Sequence, residues 1–314
     1  MTTAIYSHPL CKLHEMGSYH PESPARVQRI EDLIVACGMD AQLDLRTPPE
    51  ASVDDLRRIH TENAVVLVRD NVPEWEGNYF AVDADTSINR HSWKAALRAA
   101  GAGIAAVDAL MAGEINNAFC LVRPIGHHAT PKGAMGFCLF NNVAIAARYA
   151  LDVCGLERVA IVDIDVHHGN GTEDAFLDDP RAMMVSFYQS PFYPYQRPRD
   201  PREHMVNVPV PEGSDGAFIR NIVMRKWLPA LHAHKPQMIF FSAGFDSHRD
   251  DPIGGLNLLE EDFAWITQQI MDVTDLYAQG RLVSFLEGGY NLSALARSAV
   301  AHIRTLAQLD GAPA

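Results

Sequence analysis

Five short, almost continuous apolar runs, each paired with a longer amphipathic stretch, constrain this chain more than any other feature. The runs cover 118–122, 158–163, 183–187, 238–242 and 282–286. Strands that are covered on both faces read this way, because neither face alternates with a polar one. Helical periodicity occupies 91–111, 142–153, 217–234, 260–278 and 292–309. Strand–helix alternation predicts an α/β fold with a central parallel sheet flanked by helices. No repeat, low-complexity tract or linker interrupts the pattern, so residues 1–314 read as a single domain. With 47% hydrophobic and 21% charged residues, the chain has the material for a core, which excludes disorder. No apolar run approaches the roughly 18 residues that span a bilayer. The first ten residues lack the basic and apolar regions of a secretory signal, so a cytoplasmic location and no membrane contact are expected.

The formal net charge of −13 argues against direct nucleic-acid binding, which needs a basic footprint. An acidic surface suits cationic partners such as polyamines or lysine-rich tails, and it also serves solubility. Five cysteines without a Cys-x-x-Cys spacing read as buried free thiols in a reducing compartment. Two stretches cannot be regular structure. Residues 190–202, SPFYPYQRPRDPR, carry four prolines, and residues 71–78 carry Pro73, Trp75, Glu74 and Glu76. Aromatic loops of this kind often border binding sites.

Ligands of open parallel sheets bind just beyond the carboxyl ends of the strands. Four strand ends here deliver polar groups: RPIGHHA with His127 and His128, DIDVHHGNGT with Asp163, Asp165, His167, His168 and Asn170, AGFDSH with Asp246, and EGGY with Tyr290. Residues two apart on a strand end point the same way, so Asp165 and His167 can grip one ion. Asp246 from another strand completes a three-ligand set, the number that catalytic zinc sites use with water as the fourth ligand. A metal-free ion-pair network is the bland alternative. The His127–His128 pair suits general acid/base work, since amide hydrolysis takes a proton from water and gives one to the leaving amine. Tyr290, after a Gly-Gly pair that lets the backbone pass close, can donate to a developing oxyanion.

RPIGHHA, GFCLFNN, DIDVHHGNGTEDAF, AGFD and EGGY, in this order and with HPESPARV near the start, resemble the zinc-dependent histone deacetylase superfamily, which includes the acetylpolyamine amidohydrolases. The resemblance implies the arginase/deacetylase α/β fold and a single zinc ion on Asp165, His167 and Asp246. It makes His128 the general base and then acid, with Asn170 as its partner where some members have Asp. The Asn form resembles the class II branch, and a neutral partner leaves His128 less basic. His127, paired with Asp163, becomes an electrostatic stabiliser, and Tyr290 polarises the acetyl carbonyl. Gly136, Phe137, an aromatic of the Phe192–Tyr193 pair and Ile253 are implied to line a narrow channel. Structural potassium is implied at Asp163, Asp165, His167, Ser186 and Phe187, with a weaker cation site around Phe176 and Asp179.

The expected activity is removal of acetyl groups from acetyl-lysine-type amides, releasing acetate. A small acetylated amine such as an acetylpolyamine is the close second substrate class. An arginase-like ureohydrolase, which needs further carboxylates to bridge two metals, and a non-enzymatic acetyl-amine binding module are the rival classes. A homo-oligomer is compatible with the sequence. The chain departs from many relatives at 195–203, which lack the expected glycine-rich turn. It also departs from polyamine-selective ones at Ile253, where those carry Glu. Glu74, Glu76, Asp83 and Asp85 are the alternative rim acids for a cationic substrate.

Overall fold

The computed structural model describes residues 2–195 and 202–309. An eight-stranded sheet forms the middle layer, in the order β2-β1-β5-β10-β9-β6-β7-β8, with every pairing parallel. The strands are β1 (Thr3–Tyr6), β2 (Asp44–Arg46), β5 (Asn117–Cys120), β6 (Val159–Asp163), β7 (Ala182–Gln189), β8 (Met205–Val210), β9 (Ile239–Ala243) and β10 (Leu282–Leu286). A small antiparallel hairpin, β3 (Phe80–Ala81) and β4 (Ser87–Ile88), stands apart from the sheet. The longer helices are α1 (Ala25–Ala36), α4 (Ser92–Met111), α5 (Asn142–Asp152), α9 (Glu260–Tyr277) and α10 (Leu292–Leu306). Shorter ones are α2 (Val53–Leu56), α3 (Glu62–Asp70), α6 (Asn170–Phe176), α7 (Gly216–Ile222) and α8 (Leu228–His234).

Alternate residues of each strand enter two separate cores. Phe119, Val162, Phe241 and Leu282 pack with α1, α9 and α10 on one face. Ala118, Ile161, Phe240 and Val283 pack with α4 and α5 on the other. The sheet is therefore dry on both sides, as the unalternating runs predict. All five expected strands are present with ends shifted by at most two residues.

Three strands of the main sheet, and both short strands of the β3–β4 hairpin, escaped the sequence reading. β1 and β2 are four and three residues long, and β8 carries Pro209, which a sheet tolerates on an edge strand such as this one. The predicted helix 217–234 is interrupted by a π turn at Val223–Trp227, just before Pro229. Proline lacks the N–H that an unbroken α-helix would use there, and the widened turn absorbs the loss. Helices α1, α2, α3 and α6 were also not anticipated.

Residues 71–78 are irregular, as expected, and so are 190–195. The remainder of the proline-rich segment, 196–201, lies outside the described residues, as does most of the glycine-poor 195–203 stretch. Of the cysteines, Cys11, Cys120 and Cys138 are buried, but Cys37 is exposed and Cys154 half-buried, so the uniform burial expected for them is corrected. Among the described residues, no helix is long and apolar enough to cross a membrane.

Candidate metal centre and substrate cleft

The four central strands, β5, β10, β9 and β6, are neighbours in the sheet, and their carboxyl ends carry all the chemistry-bearing motifs. The chain reaches β5 and β6 on opposite sides of the β10–β9 pair, so the connections diverge there and leave a crevice. Asp165, His167 and Asp246 meet in it, each buried, with one donor atom apiece within 4.8 Å of the others. His167 Nδ1 lies 2.9 Å from Asp165 Oδ1 and 3.2 Å from Asp246 Oδ2.

The reason for this convergence differs from the expected one. β6 ends at Asp163, and the next residues bend rather than continue the strand. The bend is held by N–H groups that donate to carboxylates: Asp165 N to Asp163 (3.1 Å), His167 N to Asp165 (2.9 Å) and Val166 N to Asp246 (2.8 Å). Gly288 N donates to Asp165 Oδ2 at 2.9 Å. A Cβ on Gly288 would stand 2.1 Å from an Asp246 oxygen, so only glycine lets the β10 loop close over the centre.

Two carboxylates and an imidazole packed this tightly suit a divalent ion. The titration behaviour of the metal-free centre agrees. Burial pushes Asp246 up to about 7, helped by the Asp165 charge. Burial alone would lower His167, but its bonds to Asp165 and Asp246 overcome that and push it up to about 10. Asp165 opposes its own burial with the help of His127 and His167 and stays below the usual carboxylate range. Around neutral pH the His167 ring thus keeps a proton between the two carboxylates, and Asp246 takes up a second below about pH 7.

Both histidines of the pair are enclosed, and their partners set them apart. His127 Nδ1 is 3.0 Å from Asp163 Oδ2, and Nε2 is 3.7 Å from Asp165 Oδ2. Burial would lower His127, yet Asp165 and Asp163 hold it well above its ordinary value. His128 Nδ1 is 2.7 Å from Asn170 Oδ1. Burial, then the neighbouring His127 and His167, pushes His128 well below its ordinary value. One histidine is kept charged and its neighbour neutral, the separation that acid/base assignments rest on.

Asn170→Asp is expected to raise the His128 pKa, because a carboxylate favours the imidazolium. The acidic limb of the kcat/KM–pH profile should then move to higher pH. An unmoved limb in that variant would detach the limb from His128.

The cleft has a volume of about 230 Å³, and it gathers every residue expected in the channel: Gly136, Phe137, Phe192, Tyr193 and Ile253 line it with His128, His167 and Tyr290. Phe192 stacks on His167 at 5.1 Å and 19°, and Tyr193 stands edge-on to His128 at 5.1 Å. Phe137 faces Tyr290 with ring centroids 6.0 Å apart. Phe137 adopts a left-handed φ of 68°, uncommon for a large residue. Gly136 N donates to Asp85 Oδ1 at 3.0 Å and Phe137 N to Thr86 Oγ1 at 2.9 Å, which pins this turn. A larger groove of about 540 Å³ beneath α1 and β2 shares no lining residue with the cleft.

Of the four rim acids, Asp85 alone lines the cleft. Glu76 pairs instead with His91 (2.9 Å) and Arg90 (3.6 Å), and Glu74 and Asp83 are exposed. Asp163 and Ser186, two of the five residues of the implied potassium site, are register partners on β6 and β7. Around the implied weaker site, the Asp179 carboxylate is already held by Arg148 and Arg181, and Phe176 O accepts from His204.

Several residues that organise the site were not anticipated. Glu287, from EGGY, accepts from Gly126 N (2.8 Å) and His127 N (3.1 Å) and so ties the His127–His128 loop to β10. Arg26 donates to Gly289 O at 2.7 Å and to Glu287 O, and its guanidinium lies 5.1 Å from the Tyr290 ring centroid. Glu22, fully buried, binds both Arg26 (2.9 Å) and Arg123 (2.6 Å). HPESPARV contained Glu22 and Arg26, but no local spacing shows that they meet Arg123, 101 residues away.

Glu22→Gln is expected to cost about 3–5 kcal/mol in denaturant unfolding at pH 7, because it leaves two buried guanidiniums under-compensated. Burial opposes the Glu22 charge, but the two arginines hold its pKa below the ordinary 4.5. Its stabilisation is therefore present above pH 4.5 and lost as pH falls through the lower folded value.

Fold and site define a class: a parallel-sheet α/β protein with a candidate metal centre at the carboxyl ends of its strands. The model of the histone deacetylase domain matches residues 20–306. The chain is 35% identical to a histone deacetylase-like amidohydrolase of Pseudomonas aeruginosa, covering 92% of this chain and 82% of that protein. It is also 35% identical to a type-2 histone deacetylase of Dictyostelium discoideum over 97% of this chain, which spans 21% of that protein's length. The crystal structure of an HDA15 HD domain superimposes with a TM-score of 0.90 at 32% identity, covering 98% of this chain and 89% of that one. The chain belongs to the histone deacetylase family and is a deacetylase or amidohydrolase of that family.

Proposed function

We propose that this protein is a zinc-dependent deacetylase that hydrolyses the acetyl amide of acetyl-lysine or of a similar alkylamine, with residues 1–314 forming one deacetylase domain. The observation that carries the reading is the meeting of the Asp165–His167–Asp246 donors, His128 and Tyr290 on one aromatic-walled cleft. Zinc, when bound, supplies Lewis acidity and lowers the pKa of water. The chain's own residues do the rest.

Asn170 Oδ1 accepts from His128, which places the proton on Nδ1 and leaves the Nε2 lone pair free. Neutral His128 takes a proton from the attacking water at Nε2 and returns it to the leaving amine. His127, held charged by Asp163 and Asp165, stabilises the negative charge that develops nearby. Burial, then the Asp246 charge, pushes the Tyr290 phenol well above its ordinary value, so it stays protonated and donates to the carbonyl oxygen. The products are acetate and a free amine. The walls at Phe137, Phe192 and Tyr193 offer apolar contact to an uncharged alkyl stem.

A parallel assay tests the reading: kcat/KM for an acetyl-lysine peptide, acetylputrescine, acetylspermidine and a trifluoroacetyl-lysine reporter, with elemental analysis of the purified protein. Hydrolysis of the peptide by zinc-loaded protein is expected, and no turnover of any of the four by loaded protein would overturn the reading. Preference for the acetylpolyamines would move it to the second substrate class, which the acidic charge and Asp85 at the cleft favour.

A bimetallic ureohydrolase gains no support, because the side chains that would extend the donor set are engaged elsewhere. His168 binds Glu173 at 3.0 Å, and Asn170 binds His128. Potassium at Asp163, Asp165, His167, Ser186 and Phe187 and a cytoplasmic location belong to the same proposal and rest on the sequence resemblance and the sequence alone.

A further inference from the structure

We propose that Asp251 is a positioning residue for Tyr290, fixing the backbone of the phenol's loop against the loop that carries Ile253. The inference rests on the role given to Tyr290 above. Asp251 is 7% exposed, and its carboxylate accepts only from backbone N–H groups among its described hydrogen bonds. Oδ2 takes Tyr290 N at 2.6 Å and Asn291 N at 3.2 Å. Oδ1 takes Ile253 N at 3.0 Å and, more weakly, Gly254 N at 3.4 Å. One buried carboxylate thus bridges two loops whose side chains, Tyr290 and Ile253, line the same cleft.

Tyr290 needs such a tie. It follows Gly288 and Gly289, and Gly289 has a φ of 120°, a region that side chains disfavour. The glycines let the backbone skirt the centre, but they leave the next residue loosely directed. On the far side, Asn291 caps α10 by accepting from Ser293 N and Ala294 N. Asn291 Nδ2 also donates to Asp250 O at 3.1 Å, which draws the two loops together. Arg26 holds the carbonyl of Gly289 and covers the Tyr290 ring, but it does not engage the Tyr290 N–H. Asp251 supplies that remaining contact. Charge-assisted bonds to N–H groups are about twice as strong as neutral ones, which suits a carboxylate to a joint that must not drift. A reacting group displaced by 1 Å can cost about 10²-fold in rate.

Asparagine keeps the shape at 251 but turns an NH₂ toward one pair of N–H donors. Asp251→Asn is therefore expected to lower kcat by about 10- to 100-fold with KM changed by less than about threefold. Metal content should stay at the wild-type level. The decisive measurement is a double-variant cycle with Tyr290→Phe. If Asp251 acts through the phenol, adding Asp251→Asn to Tyr290→Phe costs no further kcat. Equal losses in both backgrounds, a fall in metal content or wild-type kcat in Asp251→Asn would each overturn the proposal.

Amide hydrogen exchange on the wild-type protein tests the tie without any substitution. The amides of Tyr290, Asn291 and Ile253 are expected to exchange far more slowly than those of the exposed 74–78 loop. Equal rates would overturn it even if Asp251→Asn did not fold. Wild-type turnover by Tyr290→Phe alone would strike the catalytic reading instead, and the exchange result would still decide whether the clamp exists.

Discussion

Tyr290→Phe is expected to lower kcat by about 10²- to 10³-fold while zinc content and substrate affinity stay near wild type. That range is the measured cost of removing one oxyanion donor, about 2.7–4 kcal/mol. The substitution is clean here because the ring's supports do not involve its oxygen. Arg26 lies over the ring face, Phe137 meets it edge-on, and Asp251 and Arg26 hold the adjacent backbone. Phenylalanine keeps all of these contacts and loses only the O–H. Because the phenol donates to an oxygen whose charge grows during reaction, the loss belongs in kcat rather than KM. Steady-state kinetics with elemental analysis separates the outcomes. A large rise in KM at constant kcat would make Tyr290 a binding residue, and unchanged kinetics would remove it from the mechanism.

The central sheet was legible because its strands are buried on both faces, and that writes itself as unalternating apolar runs. The edges were not, since β2 has three residues and β8 contains a proline, and neither buries enough of itself to leave a pattern. Asp165, His167 and Asp246 were readable as a candidate donor set from residue type and order. The geometry that joins them was not: a bend after Asp163 does the work assigned to strand alternation, and which imidazole nitrogen faces the carboxylates is set by three-dimensional packing. The supporting residues were hidden for a different reason. Glu22, Arg26, Arg123 and Asp251 are charged side chains, whose usual place is the surface. Nothing in a run such as HRDD marks the second aspartate as buried beneath a loop 39 residues further on. Glu76 shows the converse, an acid in a suggestive loop that pairs with Arg90 and His91 and leaves the cleft to Asp85.

Metal binding to the stripped protein should release protons, and its affinity should rise about tenfold per pH unit between pH 7 and 9. The metal-free centre holds His167 with a pKa of about 10, so at pH 8 its ring is protonated and must lose that proton to become a ligand. Below about pH 7, Asp246 gives up a second proton, and the dependence steepens. Calorimetry in two buffers of different ionisation enthalpy counts the protons directly: about one at pH 8. The same two groups set the stability of the stripped protein. Asp246 is raised from 3.8 to about 7 and His167 from 6.5 to about 10, so the folded state binds more protons than the unfolded one across both windows. Stability contributed by these groups is complete at low pH and is lost as pH rises through 7 and then 10. An ion replaces the missing positive charge, so the Tm difference between loaded and chelator-stripped protein should widen with pH. Asp246→Ala removes one of the three donors and should bring metal content close to zero. Any residual binding should release fewer protons, since one of the two carboxylates that raise His167 is gone while Asp165 remains. A pH-independent affinity in the wild type, or full metal content in Asp246→Ala, would mean that the ion sits on other donors.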